Sequence, residues 1–111
     1  MSISTHVLDT MRGTPASGLD VELSRLEPNG HWKSIGRGVT DSDGRVRELT
    51  EDELEPGEYR LEFATRSYFE RSGLSAFYPQ VTVVFNLEDS GGHLHVPLLL
   101  SPFGYTTYRG T

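Results

Sequence analysis

The chain has no cysteine, which removes disulfides, thiolate nucleophiles, zinc-thiolate sites and iron-sulfur clusters together and leaves packing alone to hold the fold. It is also short of cations, with Lys plus Arg totalling 10 against 16 Asp plus Glu and a formal charge of -6. Such a surface repels a phosphate backbone, so no nucleic acid is expected as a partner. Long apolar runs are missing too. The longest, Val96-Pro97-Leu98-Leu99-Leu100, is the size of a strand and cannot span a bilayer, so no membrane partner is expected either. Met1 to His6 has neither a basic start nor an apolar stretch, and Arg109-Gly110-Thr111 is not a peroxisomal address, which makes a cytoplasmic location the expectation.

What is present is a turn-rich chain of 111 residues with 12 Gly and 6 Pro, enough for one domain, residues 1–111, built around one core. Segments of alternating character separated by Gly, Pro, Asn and Asp predict an all-β sandwich of seven or eight strands. They run from about Ile3 to Leu8, over Val21 to Arg25, from Trp32 to Thr40, over Tyr59 to Phe63 and Val81 to Phe85, from His93 to Leu100, and from Gly104 to Arg109. Asp43-Gly44 is the clearest tight-turn signal. Residues 12–18 read as a loop and Thr50 to Glu55 as an acidic, solvated connection. Arg66 to Ser72, stopped by Gly73, predicts one short helix.

Side chains alternate across a strand, so Leu94, Val96, Leu98 and Leu100 share the core face, and His93, His95, Pro97 and Leu99 the other. In the first strand Ser4, His6 and Leu8 oppose Thr5 and Val7. An outer face holding Leu8, Pro97, Leu99 and Tyr108 beside imidazoles predicts cover by another subunit. Pro97 cannot donate to a ladder and argues for an edge or a bulge at that point. Asp9 reads as a structural partner for a nearby backbone or cation. Trp32, Tyr59, Phe63, Phe77, Phe85 and Phe103 read as core or interface aromatics.

Four segments carry a family resemblance: Ser4-Thr5-His6-Val7-Leu8-Asp9-Thr10, Ser42-Asp43-Gly44-Arg45, His93 through Phe103, and Tyr108-Arg109-Gly110-Thr111. Taken in this order along the whole chain, they resemble the 5-hydroxyisourate hydrolases, the transthyretin-related enzymes of urate degradation. The resemblance implies a two-sheet, transthyretin-like sandwich assembled as a homotetramer, with active sites at the dimer-dimer interface. It implies hydrolysis of 5-hydroxyisourate to 2-oxo-4-hydroxy-4-carboxy-5-ureidoimidazoline with no metal and no cofactor. Matched residue by residue, His6, Arg45 and His95 fall on the family's catalytic positions, and Arg45, Tyr108 and Thr111 on substrate-binding ones. Two positions depart from the family pattern: Thr111 replaces a usual terminal Ser, and Leu94 a usual Tyr between the two histidines.

The chemistry suits those residue types, because a ring amide needs an activated water, a stabilised oxyanion and a proton for the leaving nitrogen. Two imidazoles supply base and acid, and a planar guanidinium supplies charge stabilisation. Spacing alone leaves which imidazole is the base open. It also leaves alternatives: a zinc site from His93, His95 and His6, a non-catalytic small-ligand binder using the same central channel, or an adhesion module. His31, beside Asn29-Gly30, reads as an exposed turn residue.

Overall fold

Alternation of apolar and polar side chains is satisfied by strands that bury one face each, and two sheets facing one another bury both. The computed structural model describes residues 2–88 and 92–111. Its elements in chain order are β1 (Ser2–Asp9), β2 (Thr14–Pro15), β3 (Asp20–Leu26), β4 (Trp32–Val39), β5 (Arg45–Val46), β6 (Gly57–Phe63), α1 (Thr65–Glu70), β7 (Val81–Leu87), β8 (His93–Ser101) and β9 (Gly104–Thr107). One sheet runs β2-β1-β8-β9 with β5 also paired to β1, and the other runs β4-β3-β6-β7. The seven longer strands are those the alternation predicts. Thr14–Pro15 and Arg45–Val46 add two pairings of two residues each, the first within the segment expected as a loop. Residues 89–91, between the strands expected over Val81 to Phe85 and His93 to Leu100, lie outside the described residues.

The core lies between the sheets. Leu94, Val96, Leu98 and Leu100 from β8 meet Leu23, Leu61, Phe63 and Val81 from the opposite sheet, all buried. Truncating a side chain such as Leu98, which is fully buried, costs about 2–5 kcal/mol because the void is only partly refilled. Phe77 and Phe103 are 68% and 75% exposed, so neither belongs to this core. The helix begins one residue before the expected span and ends two before it. Its last turn tightens as Ser72 N–H donates to Phe69 O and Gly73 N–H to Glu70 O, three residues back rather than four. No helix among the described residues is long and apolar enough to cross a membrane.

Asp9 is fully buried at the end of β1. Its Oδ1 accepts from the backbone N–H groups of Met11 and Arg12, and its Oδ2 from the Tyr68 hydroxyl of α1 at 2.8 Å. This is the structural role expected of it. It leaves no lone proton acceptor buried without a donor, and it fixes the helix to the sheet that carries the histidines. Burial, then the bond to Asp9, pushes the Tyr68 phenol up to about 12.

Pro97 sits inside β8 and is buried, with no register shift in its ladder to β1. His95 O and Pro97 O both point to the β9 side, where they accept from Gly110 N–H and Thr107 Oγ1–H. The Pro97 nitrogen faces the same way, at the point where the β8·β9 ladder has ended with Leu98↔Thr107. No ladder donor is lost. The strand is central, and the edge expected from Pro97 exists only locally, where β9 departs.

Candidate active site

The first and the eighth strand lie side by side and parallel, in the register Ser2↔His93, Ser4↔His95, His6↔Pro97. With a period of two, Ser2, Ser4 and His6 therefore share the outer face with His93 and His95. β5 lies antiparallel along the opposite edge of β1, with His6↔Arg45 as partners. The sheet thus brings two imidazoles and a guanidinium from three distant segments onto one face.

Arg45 is held by the turn before it. Asp41 Oδ1 accepts from the N–H groups of Asp43 and Arg45 at 2.9 and 3.0 Å, bonds that, with the Arg45 one foremost, hold the Asp41 carboxyl below its usual range. Gly44 takes φ 77°, and a side chain there would run into Val7 O and Pro15. Only glycine fits this left-handed position beside β1. The turn in turn orients His6, whose Nε2 lies 2.8 Å from Asp43 O. A carbonyl can only accept, so Nε2 carries the hydrogen and the lone pair of the neutral ring is at Nδ1.

His95 is half-buried and fixed on two sides. Its Nδ1 is 2.8 Å from Ser4 Oγ. The C-terminal segment folds back so that Gly110 N–H donates to His95 O at 2.8 Å, and a Cβ on Gly110 would approach His95 Cδ2 to 2.6 Å. Glycine is required for that close approach. With Nδ1 engaged and the Cδ2 edge covered, Nε2 is the ring nitrogen left to work. Burial, then the Arg45 cation, then the His6 and His93 imidazoles, hold the His95 pKa below the ordinary imidazole value. The ring is therefore neutral at pH 7.

An open cleft of about 310 Å³ is lined by Ser4, Arg45, Arg47, His93, His95 and Thr111 among others. His6 stands beside this lining rather than in it. Tyr108 does not reach it within the chain: 56% exposed, it lines a separate apolar groove with Val83, Phe85, Leu94 and Val96. Ser4 and Arg47 line the cleft and are not among the expected site residues. Ser4 could have been found, because it shares a period-two face with His6. Among the described residues no group of three or more His, Asp or Glu side chains is arranged to hold a metal ion. His93 and His95 are instead joined through Ser4.

Residues 3–110 match the HIUase/Transthyretin family. The chain belongs to that family. It is 48% identical over 111 residues to a 5-hydroxyisourate hydrolase of Mus musculus, covering 98% of this chain and 94% of that one. The solved structure of the Klebsiella pneumoniae 5-hydroxyisourate hydrolase superposes with a TM-score of 0.88 at 34% identity, covering 100% of both chains. Sea bream transthyretin in complex with thyroxine superposes with a TM-score of 0.92 at 36% identity, covering 99% of this chain and 95% of that one. A 5-hydroxyisourate hydrolase and a thyroxine-bound transthyretin thus share one fold, and the side chains of the cleft have to discriminate between the two.

Proposed function

We propose that this chain hydrolyses 5-hydroxyisourate to 2-oxo-4-hydroxy-4-carboxy-5-ureidoimidazoline, opening the six-membered ring at an amide bond without metal or organic cofactor. What carries this reading is the unmatched set of two imidazoles and a guanidinium beside one small cleft, in a chain whose named relatives include hydrolases of that substrate. A carrier of an apolar hormone has no use for three such groups.

In this reading His6 is the base. Its Nε2–H is tied to Asp43 O, so Nδ1 takes the proton of the attacking water. The Arg45 fork binds the carbonyl edge of the planar substrate and stabilises the oxyanion of the tetrahedral intermediate. His95 gives its Nε2–H to the leaving nitrogen. Thr111 bounds the cleft and brings a hydroxyl to it. A single domain of residues 1–111 forms each subunit, and a homotetramer covers the outer face, converting an open cleft into a channel. Tyr108 touches substrate only across that assembly.

The test generates 5-hydroxyisourate in place with urate oxidase and follows its ultraviolet decay with and without this protein. Decay well above the spontaneous rate, unaffected by chelator, is the expected result. Decay at the spontaneous rate with tight thyroxine binding would replace the hydrolase with a carrier, and chelator sensitivity would replace the cofactor-free route with a metal one. Light scattering that gives lone protomers at full activity would remove the tetramer.

A further inference from the structure

We propose that Ser4 and His93 form a proton relay to His95, in which the outer imidazole supplies, through one serine hydroxyl, the proton that His95 hands to the leaving nitrogen. The proposal rests on the hydrolase reading above and extends it to two further side chains of the cleft, acting through His95.

Ser4 Oγ lies 2.6 Å from His93 Nε2 and 2.8 Å from His95 Nδ1, and His93 Nδ1 lies 2.6 Å from Ser2 Oγ. A hydroxyl has one hydrogen and cannot donate to two nitrogens at once. Where the Ser4 hydrogen lies within this chain, one imidazole donates N–H to Ser4 while the other receives the Ser4 O–H, and the chain then has two directions. When His93 donates, Ser4 donates to His95 Nδ1, and neutral His95 presents Nε2–H to the cleft. When His95 donates, Nε2 presents a lone pair instead. A protonated His93 carries hydrogens on both nitrogens and permits only the first direction.

This arrangement answers a difficulty in the site. An acid is needed for the leaving nitrogen, yet burial and the Arg45 cation keep His95 uncharged at neutral pH. His93 is exposed, so it exchanges protons directly with water. As the C–N bond breaks and its electron pair stays on nitrogen, the His95 Nε2–H bond breaks and a new N–H forms. The Ser4 hydrogen passes to His95 Nδ1, and the His93 Nε2 hydrogen passes to Ser4 Oγ. His93 is left neutral, its Nδ1–H donated to Ser2, and is recharged from water. The water's own proton resides on His6 and leaves from there, so one proton enters and one departs per turnover. Among the described residues, the charged and titratable groups facing His93 are Glu88 and Arg109 in the crevice on one side, and Arg45, Arg47, His95 and Thr111 in the cleft on the other.

The test uses the full-length protein and two independent readouts. Side-chain ¹⁵N shifts of His95 are followed while pH is stepped through the titration of His93, in the wild type and in Ser4→Ala. The wild type should switch His95 toward the Nε2–H tautomer as His93 gains its proton, and Ser4→Ala should lose that coupling. A His95 tautomer indifferent to His93 in the wild type overturns the relay, whatever the assay gives. In turnover, Ser4→Ala and His93→Gln should each lower kcat about tenfold with little change in KM, less than loss of the whole acid would cost. Both should also lose the fall in kcat that follows deprotonation of His93, and Ser4→Thr should restore it. Wild-type kcat across the pH range in Ser4→Ala would show the hydroxyl is not used and overturn the proposal. Failure of the hydrolase reading would show separately, as a wild type that never accelerates 5-hydroxyisourate decay.

Discussion

On the outer face of the β4-β3-β6-β7 sheet, charge is matched where it stands: Arg37 meets Glu22 at 2.6 Å, Arg60 meets Glu62 at 2.8 Å, and the Arg60 guanidinium lies 4.7 Å from the centroid of the Trp32 ring. The outer face of β1 and β8 is built differently. It offers His6, His93, His95 and Arg45, and among the described residues none of these forms an ion pair with a carboxylate. Matched pairs satisfy each other and leave nothing for a ligand. Unmatched groups perturb one another, as at His95, which is lowered first by burial and then by Arg45, His6 and His93, and this separates a working face from a stabilising one.

The largest expected effect comes from emptying the unmatched face. His6→Ala and His95→Ala should each lower kcat about a hundredfold or more with the circular dichroism spectrum unchanged, and near-normal turnover in both would remove them from the chemistry. Arg45→Lys should also reduce kcat/KM strongly, because a point charge replaces a two-pronged donor; an unchanged rate would mean that the fork is not used.

Next in size is a matched group on the same sheet. Tyr68→Phe leaves Asp9 short of one donor and should cost about 1–3 kcal/mol in urea denaturation, with little change in kcat. The sign with pH follows from the phenol being raised when folded. Its contribution is complete below about pH 10 and fades as pH rises toward about 12, so Tyr68→Phe should flatten the alkaline side of the stability curve. A wild-type curve that is flat up to pH 12 would contradict the bond.

His95 acts in the opposite sense and more weakly. Its pKa is lowered on folding, so its contribution is complete above about pH 6.5 and lost as pH falls through the folded value. Urea midpoints measured from pH 8 to pH 5 should fall less in His95→Gln than in the wild type. The smallest effect is expected on the matched sheet, where Arg37→Gln breaks a pair whose Arg side chain is 79% exposed. Stability should change by about 1 kcal/mol or less, with turnover unaffected, and a large loss of activity would erase the distinction between the two faces.

Much of this was legible in the sequence because strand periodicity is written in side chains. Leu94 to Leu100 declared its buried face, and with it the outward direction of His93 and His95. Two-residue pairings such as Thr14–Pro15 are too short to show any period and look like loop in the sequence. Pro97 misled for a sound reason. Its missing donor matters only on the side where a neighbour needs it, and that depends on where β9 ends. Ser4 shares the outer face by periodicity, but a serine in a strand gains chemical meaning only from the imidazoles 89 and 91 positions away that it joins. Tyr108 carries a family motif but no local cue for its distance from the cleft.

That separation has a consequence for biogenesis. Because β1 meets β8 directly in a parallel ladder, every strand from β2 to β7 must leave the ribosome before β1 finds β8, and closure over so long a stretch is intrinsically slow. Nascent or prematurely terminated chains therefore carry no fractional catalyst. Competence arrives in a single late event, together with the native state.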